Sequence, residues 1–196
     1  MIAPEKLRFY LDKFEELELE DIMTLVNFAS QRHLRAGEIY ISEGSSKKQL
    51  AYIDKGLVRA FSRRENGEEI TVWIRWEGKF FTSYDSLLFH QPSRFNYEAL
   101  EDTILYEADF DGFNDLLNSN LRYSKVKEYV IWDIVGDIMA HRETFILLNP
   151  EERYIKLLSE KPDIIKRVPF KYIASFIGIT PVSLSRIRTR LQKRKT

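Results

Sequence analysis

Glycines recur at intervals of about ten residues through the centre of the chain, and this spacing most constrains its fold. They separate short runs of β-branched and aromatic residues at Gly37, Gly44, Gly56, Gly67 and Gly78. Short runs bounded by glycine are typical of strands in an antiparallel β protein. The dipeptide Asn66-Gly67 lies between two such runs and predicts a β-hairpin. The sequence therefore predicts a β sandwich or a jelly roll in the middle of the chain.

Helical spacing of apolar residues precedes and follows this β region. Apolar residues three or four apart, with acids between them, predict N-terminal helices over roughly the first 30 residues. A run without proline over residues 121–148 predicts one long helix. Along it, a stripe of apolar side chains predicts a homodimer interface packed as in a coiled coil, formed by Val126, Val130, Ile134 and Ile138. The alternative is a helix that packs wholly on its own β domain.

The most specific pattern is VPFKYIASFIGITPVSLSRIRTRL, residues 168–191, whose spacing predicts a helix-turn-helix. Gly178 permits the left-handed backbone conformation that ends the first helix. Thr180 is suited to cap the second helix, and Pro181 occupies its first turn, where a missing N–H is harmless. The positions that must be buried between the two helices are all small or apolar: Ile173, Ala174, Ile177, Ile179, Leu184, Ile187 and Leu191.

Charge is segregated along the chain, although the totals balance at 30 basic and 30 acidic residues. Residues 164–196 contain nine Lys or Arg and no Asp or Glu, which leaves 21 basic against 30 acidic residues upstream. Unopposed positive charge at one end predicts a polyanionic partner, and together with the helix-turn-helix it predicts double-stranded DNA. The alternative is an ordinary helical hairpin with a solvated basic face.

The outer face of the second helix supplies the predicted DNA contacts. We predict that base edges are read by Val182, Ser183, Arg186 and Arg190. We predict that phosphates are bound by Lys171, Thr180, Ser185, Arg188, Lys193 and Arg194, with Lys195 beside them.

Composition excludes several other classes of protein. The chain has no cysteine, which excludes disulfides, thiolate metal sites and iron–sulfur clusters. His33, His90 and His141 show no ligand spacing, so we predict no metal site and interpret them as surface or packing residues. No stretch approaches ~18 uncharged apolar residues, and the N-terminal segment lacks the apolar region of a signal peptide. We therefore expect a cytoplasmic protein without a membrane span and without enzymatic activity.

With these elements in this order, the sequence resembles the Crp/Fnr superfamily of bacterial transcription regulators, in the style of members from Bacteroidetes-type bacteria. The resemblance is carried by GEIYISEG, LAYIDKGLVRAF, NGEEITVWI and EGKFF, and by residues 152–188. It implies an α+β fold of three parts. N-terminal helices and a jelly-roll-like sensor would occupy residues 1–118, a dimerisation helix residues 119–148, and an all-α helix-turn-helix domain residues 149–196. The β-hairpin wing common in the family is expected to be reduced or absent.

The resemblance also implies how such a protein works. A homodimer reads a two-fold symmetric DNA site, the β roll senses a small effector, the long helix relays its state, and RNA polymerase is a further expected partner. Arg186 matches the base-reading arginine of the family. Pro181 and Val182 stand where cyclic-AMP-responsive members often have Arg and Glu, so their target sequence does not carry over.

The candidate effector pocket departs from that of cyclic-AMP-binding members. Those members hold the phosphate with an Arg-Ser or Arg-Thr pair followed by Ala, whereas this chain has Ser93, Arg94 and Phe95. A Phe-Gly-Glu triplet supplies their ribose carboxylate, whereas Phe81 is followed here by Thr-Ser. Arg94 is interpreted either as a displaced phosphate ligand or as an ordinary loop arginine.

The positions that offer hydroxyls to adenine are apolar in this chain. They are Ile138 and Met139. Each polar ligand group left unpaired costs ~1–3 kcal/mol, so we predict that cyclic AMP does not bind and that another small molecule is the alternative effector. The candidate pocket residues are Trp73, Phe81, Ser83, Arg94, Ile138 and Met139. The neighbouring aromatic residues either fill the pocket or line it for an apolar effector: Trp73, Trp76, Phe80, Phe81 and Tyr84. No cofactor is predicted.

Two other functions are weighed against this one. A β roll also occurs in cupin-type metalloenzymes, which would make the chain an enzyme with a basic DNA-binding tail. That requires clustered His and acidic ligands, and the β region contains only His90. A basic tail that binds RNA or a membrane is the third possibility, and the helix-turn-helix packing positions argue against it.

Overall fold

The structure, a computed structural model, describes residues 4–194, with side chains from residue 8 onward. The strands are β1 Ser30–Leu34, β2 Ile39–Ile41, β3 Gln49–Lys55, β4 Val58–Arg63, β5 Glu69–Arg75, β6 Phe80–Phe81, β7 Asn96–Ala99 and β8 Thr103–Asp109. The helices are α1 Pro4–Lys13, α2 Leu19–Phe28, α3 Tyr84–Leu88, α4 Phe110–Ser119, α5 Ser124–Leu147, α6 Pro150–Glu160, α7 Ile164–Arg167, α8 Phe170–Phe176 and α9 Pro181–Lys193.

The β region forms two four-stranded antiparallel sheets, as the spacing of glycines predicts. Their strand orders are β1-β8-β3-β6 and β2-β7-β4-β5. The predicted hairpin joins β4 to β5, where Arg63 pairs with Glu69 and Gly67 has a φ of 82°. Apolar and aromatic side chains from both sheets form the core between them, among them Ile53, Phe81 and Tyr97. The predicted α+β class with a β roll is confirmed.

The N-terminal helices pack on the roll together with α4 and the start of α5. Their predicted helical region is interrupted after Lys13, and α2 starts at a capping box in which the Glu18 N–H donates to Asp21 (3.0 Å). The shared core contains Phe14 and Ile22 from the N-terminal segment and Phe113 from α4. The roll is therefore covered by helices on this side.

The C-terminal helices α6–α9 form a second helical unit with its own core. Tyr154, Ile173 and Leu184 are buried in that core. Leu57 and Ile74 of the roll belong to the same cluster, so the C-terminal unit packs directly on the sensor region. The domain boundaries given above remain a prediction. Among residues 4–194, no helix is both long enough and apolar enough to cross a membrane.

Helix α5 packs on the rest of the chain through part of the stripe that we predicted as a dimer interface, and this prediction requires correction. Val126 and Val130 are buried in the core shared with the N-terminal helices, and Ile134 packs against that core. Because the protomer itself covers these side chains, they are not free to contact a second copy. Ile138, the fourth predicted interface residue, is 41% exposed and belongs instead to a second apolar face of α5, together with Ile131, Trp132, Val135 and Met139.

Candidate DNA-binding surface and sensor cavity

Helices α8 and α9 are joined by a tight turn with the packing predicted from the sequence. Ile173, Leu184 and Ile187 are buried between them, and Gly178 in the turn has a φ of 72°. A Cβ atom at Gly178 would lie 2.6 Å from the ring of Phe145, so α5 approaches the turn closely. Glycine is needed here for its backbone conformation and for space. The seven apolar positions singled out in the sequence are all buried or partly buried.

Helix α9 begins at the predicted cap. The Thr180 hydroxyl accepts a hydrogen bond from the Ser183 N–H (3.2 Å), and its oxygen lies 3.0 Å from the Ser183 hydroxyl oxygen. Val182 is 62% exposed although it is apolar, and Arg186 is exposed one turn further along the helix. Within residues 4–194, Arg186 takes part in no ion pair that would have to be broken before it bound a ligand.

Two arginines near the end of α9 are bound to an acid on α6. Arg190 Nε donates to Glu151 Oε2 (2.6 Å), and Arg194 Nη1 donates to Glu151 Oε1 (2.7 Å). The Glu151 side chain is only 15% exposed, whereas those of Arg190 and Arg194 are more than half exposed. Sequence spacing gave no sign of this contact, because residue 151 lies about 40 positions earlier. The role of Arg190 as a base reader stays a prediction.

The structure divides the predicted DNA contacts into two groups. One group borders a shallow depression along the outer side of α9: Ser185, Arg186, Arg190, Lys193 and Arg194. Lys171 and Thr180 border a second depression, between the start of α9 and the β4–β5 hairpin. Arg188 is partly buried, with its guanidinium 5.3 Å from the ring centre of Phe170. Lys195 lies outside the described residues.

A buried arginine joins the C-terminal unit to the roll. Arg59 on β4 is 1% exposed and donates to Glu98 (2.6 Å) and to Glu69 (2.6 Å). Its guanidinium carbon lies 3.5 Å from the ring centre of Tyr172 on α8, which is a close cation–π contact. Hydrogen bonds from Arg59 and Arg63 outweigh the effect of burial and lower the pKa of Glu69. The sheet therefore presents a fixed charge to α8.

Further polar contacts hold the same interface together. The Thr71 N–H on β5 donates to the Ser175 hydroxyl on α8 (2.8 Å). Arg167 on α7 binds Glu77 and Glu101, which lie in loops of the roll, and its Nη2 is 2.5 Å from Glu101 Oε1. Burial raises the pKa of Glu77, but hydrogen bonds from Arg167 and Lys161 outweigh it and hold that pKa at about 2. None of these pairs was evident from the sequence.

A cavity of about 490 Å³ lies between β5, α5 and the C-terminal unit. Trp73 on β5 and Ile138 on α5 line it, as does Phe176 at the end of α8. The roll, the long helix and the proposed DNA-binding unit therefore each form part of the wall of this cavity. The other four residues predicted for an effector pocket, Phe81, Ser83, Arg94 and Met139, do not line this cavity, although the ring of Phe81 packs on that of Trp73 in the core of the roll, with ring centres 5.8 Å apart.

Those four residues have other surroundings. Phe81 is buried in the core of the roll, and Met139 is 47% exposed on α5. The buried Ser83 hydroxyl caps α3 by accepting from the Ser86 N–H (3.4 Å). Arg94 is 72% exposed and its Nε donates to Asp85 (2.8 Å). This geometry corresponds to the loop-arginine interpretation, because the guanidinium points to solvent rather than into the cavity.

The cavity carries both charge and aromatic surface. Arg75 and Lys79 both reach it and are paired with Asp137 of α5 at 2.6 Å and 3.1 Å. Arg75 is 8% exposed, and in the described part of the chain its Nε has no hydrogen-bond partner. His141 stacks on the ring of Phe176 with ring centres 4.8 Å apart. Burial and the nearby Arg75 lower the pKa of His141, so the imidazole is neutral at pH 7.

The other two histidines are exposed. His33 lies on β1, so the β region contains two histidines and not only His90, and His90 lies in a loop where its φ is 52°. Across residues 4–194, no group of three or more His, Cys, Asp or Glu side chains is placed to hold a metal ion.

Comparison with known proteins places the β region in a defined class. Residues 31–120 match the profile of the cyclic nucleotide-binding domain, so the chain contains a domain of this class. No curated protein matches the chain.

Solved structures share the fold over most of the chain. FixK2 from Bradyrhizobium japonicum has a TM-score of 0.70 at 15% identity and covers 85% of this chain and 86% of its own. A CooA mutant from Carboxydothermus hydrogenoformans has a TM-score of 0.65 at 16% identity, covering 87% and 79%. A transcriptional regulator assigned to the Crp/Fnr family, from Eubacterium rectale, has a TM-score of 0.66 at 16% identity, covering 92% and 86%. The resemblance predicted from the sequence is confirmed for the domain and the fold.

Proposed function

We propose that the chain is a homodimeric, sequence-specific transcription regulator that binds double-stranded DNA through α9 and has no enzymatic activity. The observation that carries the proposal is the outward face of α9. It begins at a capped N-terminus and exposes Val182 and Arg186 on a helix whose inner face is buried. The proposed DNA-binding domain is residues 149–196, with the sensor over 1–118 and the dimerisation helix over 119–148. RNA polymerase remains an expected partner. A cytoplasmic location also remains an expectation.

The predicted contacts along α9 suit the base edges of a DNA major groove and the phosphates that flank it. Arg186 is placed to donate two hydrogen bonds to guanine, and Val182 to contact a thymine methyl group. Lys193 and Arg194 lie further along α9, where a helix leaves the groove and meets phosphates. Lys171 and Thr180 flank the other end of the helix. Bases would thus be read from the first half of α9, between Val182 and Arg186, and phosphates bound on either side of that stretch.

Binding-site selection followed by titration tests this proposal. The variant Arg186→Ala should lose ~1–3 kcal/mol on the selected site and should relax the preference at one base pair per half-site. Its affinity for unrelated DNA should change little. Lys55→Ala removes an exposed charge on the roll and serves as the matched control. Equal loss of specific and non-specific affinity in Arg186→Ala would show that Arg186 contacts only phosphate. Failure of the wild-type protein to select any DNA sequence would refute the proposed function.

The proposed dimer uses the exposed face of α5, which keeps Ile138 from the stripe predicted from the sequence but not the other three residues of that stripe. Ile131, Val135 and Ile138 follow one another at spacings of four and three residues and are 38–47% exposed. That spacing suits seam packing between two helices of the same kind. A second copy is the occupant that we propose, because a two-fold dimer would present two α9 helices to successive major grooves.

We also propose that the sensor does not bind cyclic AMP. Ser83 is committed to capping α3, and Arg94 is bound to Asp85 at the surface. Ile138 and Met139 offer no hydroxyl to adenine. Calorimetry should therefore show no cyclic AMP binding at micromolar concentrations, and saturable binding in that range would contradict this part of the proposal.

A second candidate function is response to a different small molecule. The observation that favours it is the cavity of about 490 Å³ shared by the roll, α5 and α8. A molecule bound there would contact the sensor and the proposed DNA-binding unit together. If the protein is constitutive instead, it should bind its selected DNA at full affinity with no additive, and a screen of additives should not change that affinity.

A further inference from the structure

A second, smaller cavity lies on another side of the roll, beneath the N-terminal helices. Its volume is about 130 Å³. Its walls come from α1, α2, the sheet that contains β3 and β8, α4 and the first half of α5. Representative lining residues are Phe14, Leu25, Ala108, Phe113 and Val126. It shares no lining residue with the cavity between β5, α5 and the C-terminal unit, so it is a separate compartment.

Aromatic rings enclose one end of this cavity. Tyr129 of α5 makes edge contacts with Phe14 and Phe80, with ring centres 5.6 Å and 6.2 Å apart. Tyr52 lies 5.0 Å from Phe80, and Tyr10 stacks parallel to Phe14 at 6.3 Å. A further flat molecule in the cavity would meet ring surface of the kind that favours edge-to-face and offset contacts. The aromatic lining of the cavity therefore favours an aromatic ligand.

The polarity of the cavity restricts the charge of its ligand. Among the described residues that line it, Asp54 is the only one with an ionisable acid or base of the Asp, Glu, Lys, Arg or His type. An anion would meet that carboxylate, and Lys13, whose ammonium lies 4.1 Å from the ring centre of Tyr129, does not itself line the cavity, so an anionic ligand is disfavoured. The Tyr10 hydroxyl is hydrogen-bonded to Tyr52, and burial raises the pKa of Tyr10, so the hydroxyl stays protonated. A ligand with one neutral polar group would find hydrogen-bond partners at this end of the cavity, in the hydroxyls of Tyr10 and Tyr52.

We propose that this cavity is a binding site for a small uncharged aromatic molecule of the size of benzene or phenol. Its volume supports that size, because an engineered apolar cavity of about 150 Å³ in another protein stays dry and binds benzene. The ligand would lie against the side of α5 that carries Val126, Tyr129 and Val130, opposite the exposed face proposed for the dimer. The site is independent of the proposed effector response through the larger cavity.

Calorimetry and thermal unfolding of the full chain test the site with benzene, phenol and benzoate as probes. We expect saturable binding of benzene and phenol, and binding of benzoate at least tenfold weaker because of its charge. The variant Ala108→Leu fills the cavity from the sheet, and Ala29→Leu fills it from the end of α2. Each should weaken phenol binding at least tenfold while keeping the helical content of the wild type.

Ala140→Leu is the matched control, because it makes the same change in the wall of the larger cavity. It should leave phenol binding unchanged. In the wild type, nuclear Overhauser contacts from benzene to the methyl groups of Val126 and Val130 should locate the probe independently of any variant. Absence of saturable binding, equal binding of benzoate, equal weakening by Ala140→Leu, or benzene contacts elsewhere would each overturn the proposal. The test contains no DNA, so its outcome does not depend on the proposed function.

Discussion

Glu151 is predicted to lower the affinity of α9 for DNA. Its carboxylate binds Arg190 and Arg194, two of the cations predicted to contact DNA. DNA can bind these two arginines only if their ion pairs with Glu151 are broken. Both arginines are more than half exposed although Glu151 is not, so each pair is assigned the ~0.2–1 kcal/mol typical of solvent-accessible ion pairs, and releasing both costs about 0.4–2 kcal/mol per subunit. Replacing Glu151 with Gln should therefore raise the affinity about 2- to 30-fold per subunit at low salt.

The salt dependence of binding provides a second measure of the same effect. The logarithm of the binding constant falls with the logarithm of salt concentration by about 0.9 for each phosphate that is neutralised. Removing one carboxylate that competes with phosphate should make this slope steeper by about 0.9 per subunit. The part of the gain that comes from Arg194, a predicted phosphate contact, should raise specific and non-specific affinity alike, whereas the part that comes from Arg190, a predicted base reader, should raise specific affinity more. Fluorescence anisotropy at several salt concentrations, with selected and unrelated duplexes, would measure both quantities.

Glu152→Gln is the control for charge and helix stability. Glu152 lies in the same turn of α6 and accepts a hydrogen bond from the Asn149 N–H (2.8 Å), which Gln can also accept. It therefore loses the same charge near the helix N-terminus without touching the arginines of α9. Equal changes in affinity for Glu151→Gln and Glu152→Gln would refute the proposed competition between Glu151 and DNA for the arginines of α9. Weaker DNA binding by Glu151→Gln would also refute this competition, since Glu151 would then serve to orient the arginines.

Three further outcomes follow from contacts described above. Glu77 has a folded pKa of about 2, below its ordinary 4.5, so its pair with Arg167 stabilises the folded chain above about pH 4.5 and is lost as the pH falls towards 2. Glu77→Gln should flatten the decline of the unfolding temperature between pH 5 and pH 3, and an unchanged decline would contradict it. Gly178→Ala should lower stability by about 1–2 kcal/mol in denaturant titrations, because the φ of 72° is strained for alanine even if the Phe145 ring moves aside. Val135→Glu should produce monomers in light scattering with an intact fold, and a persistent dimer would exclude this face of α5.

The sequence determined the parts of this protein that depend on short-range spacing. Glycine spacing and the Asn66-Gly67 dipeptide predicted the strands and the β4–β5 hairpin, because left-handed backbone positions and short hairpin turns are local properties. The packing of α8 on α9 was predicted for the same reason. Gly178, the Thr180 cap and the buried positions around them lie within about 20 residues of each other, and each has a steric role that residue type alone reveals.

Tertiary structure decided which face of α5 is buried and which charges are paired. The helix carries apolar residues on several sides, so its spacing supports more than one stripe, and only the packing of the N-terminal helices shows that Val126 and Val130 face inward. Likewise, Arg190 meets Glu151, and Arg59 meets Tyr172, across large distances in the chain. Contacts of this kind leave no periodic trace in a sequence, because they depend on how whole elements are arranged in space.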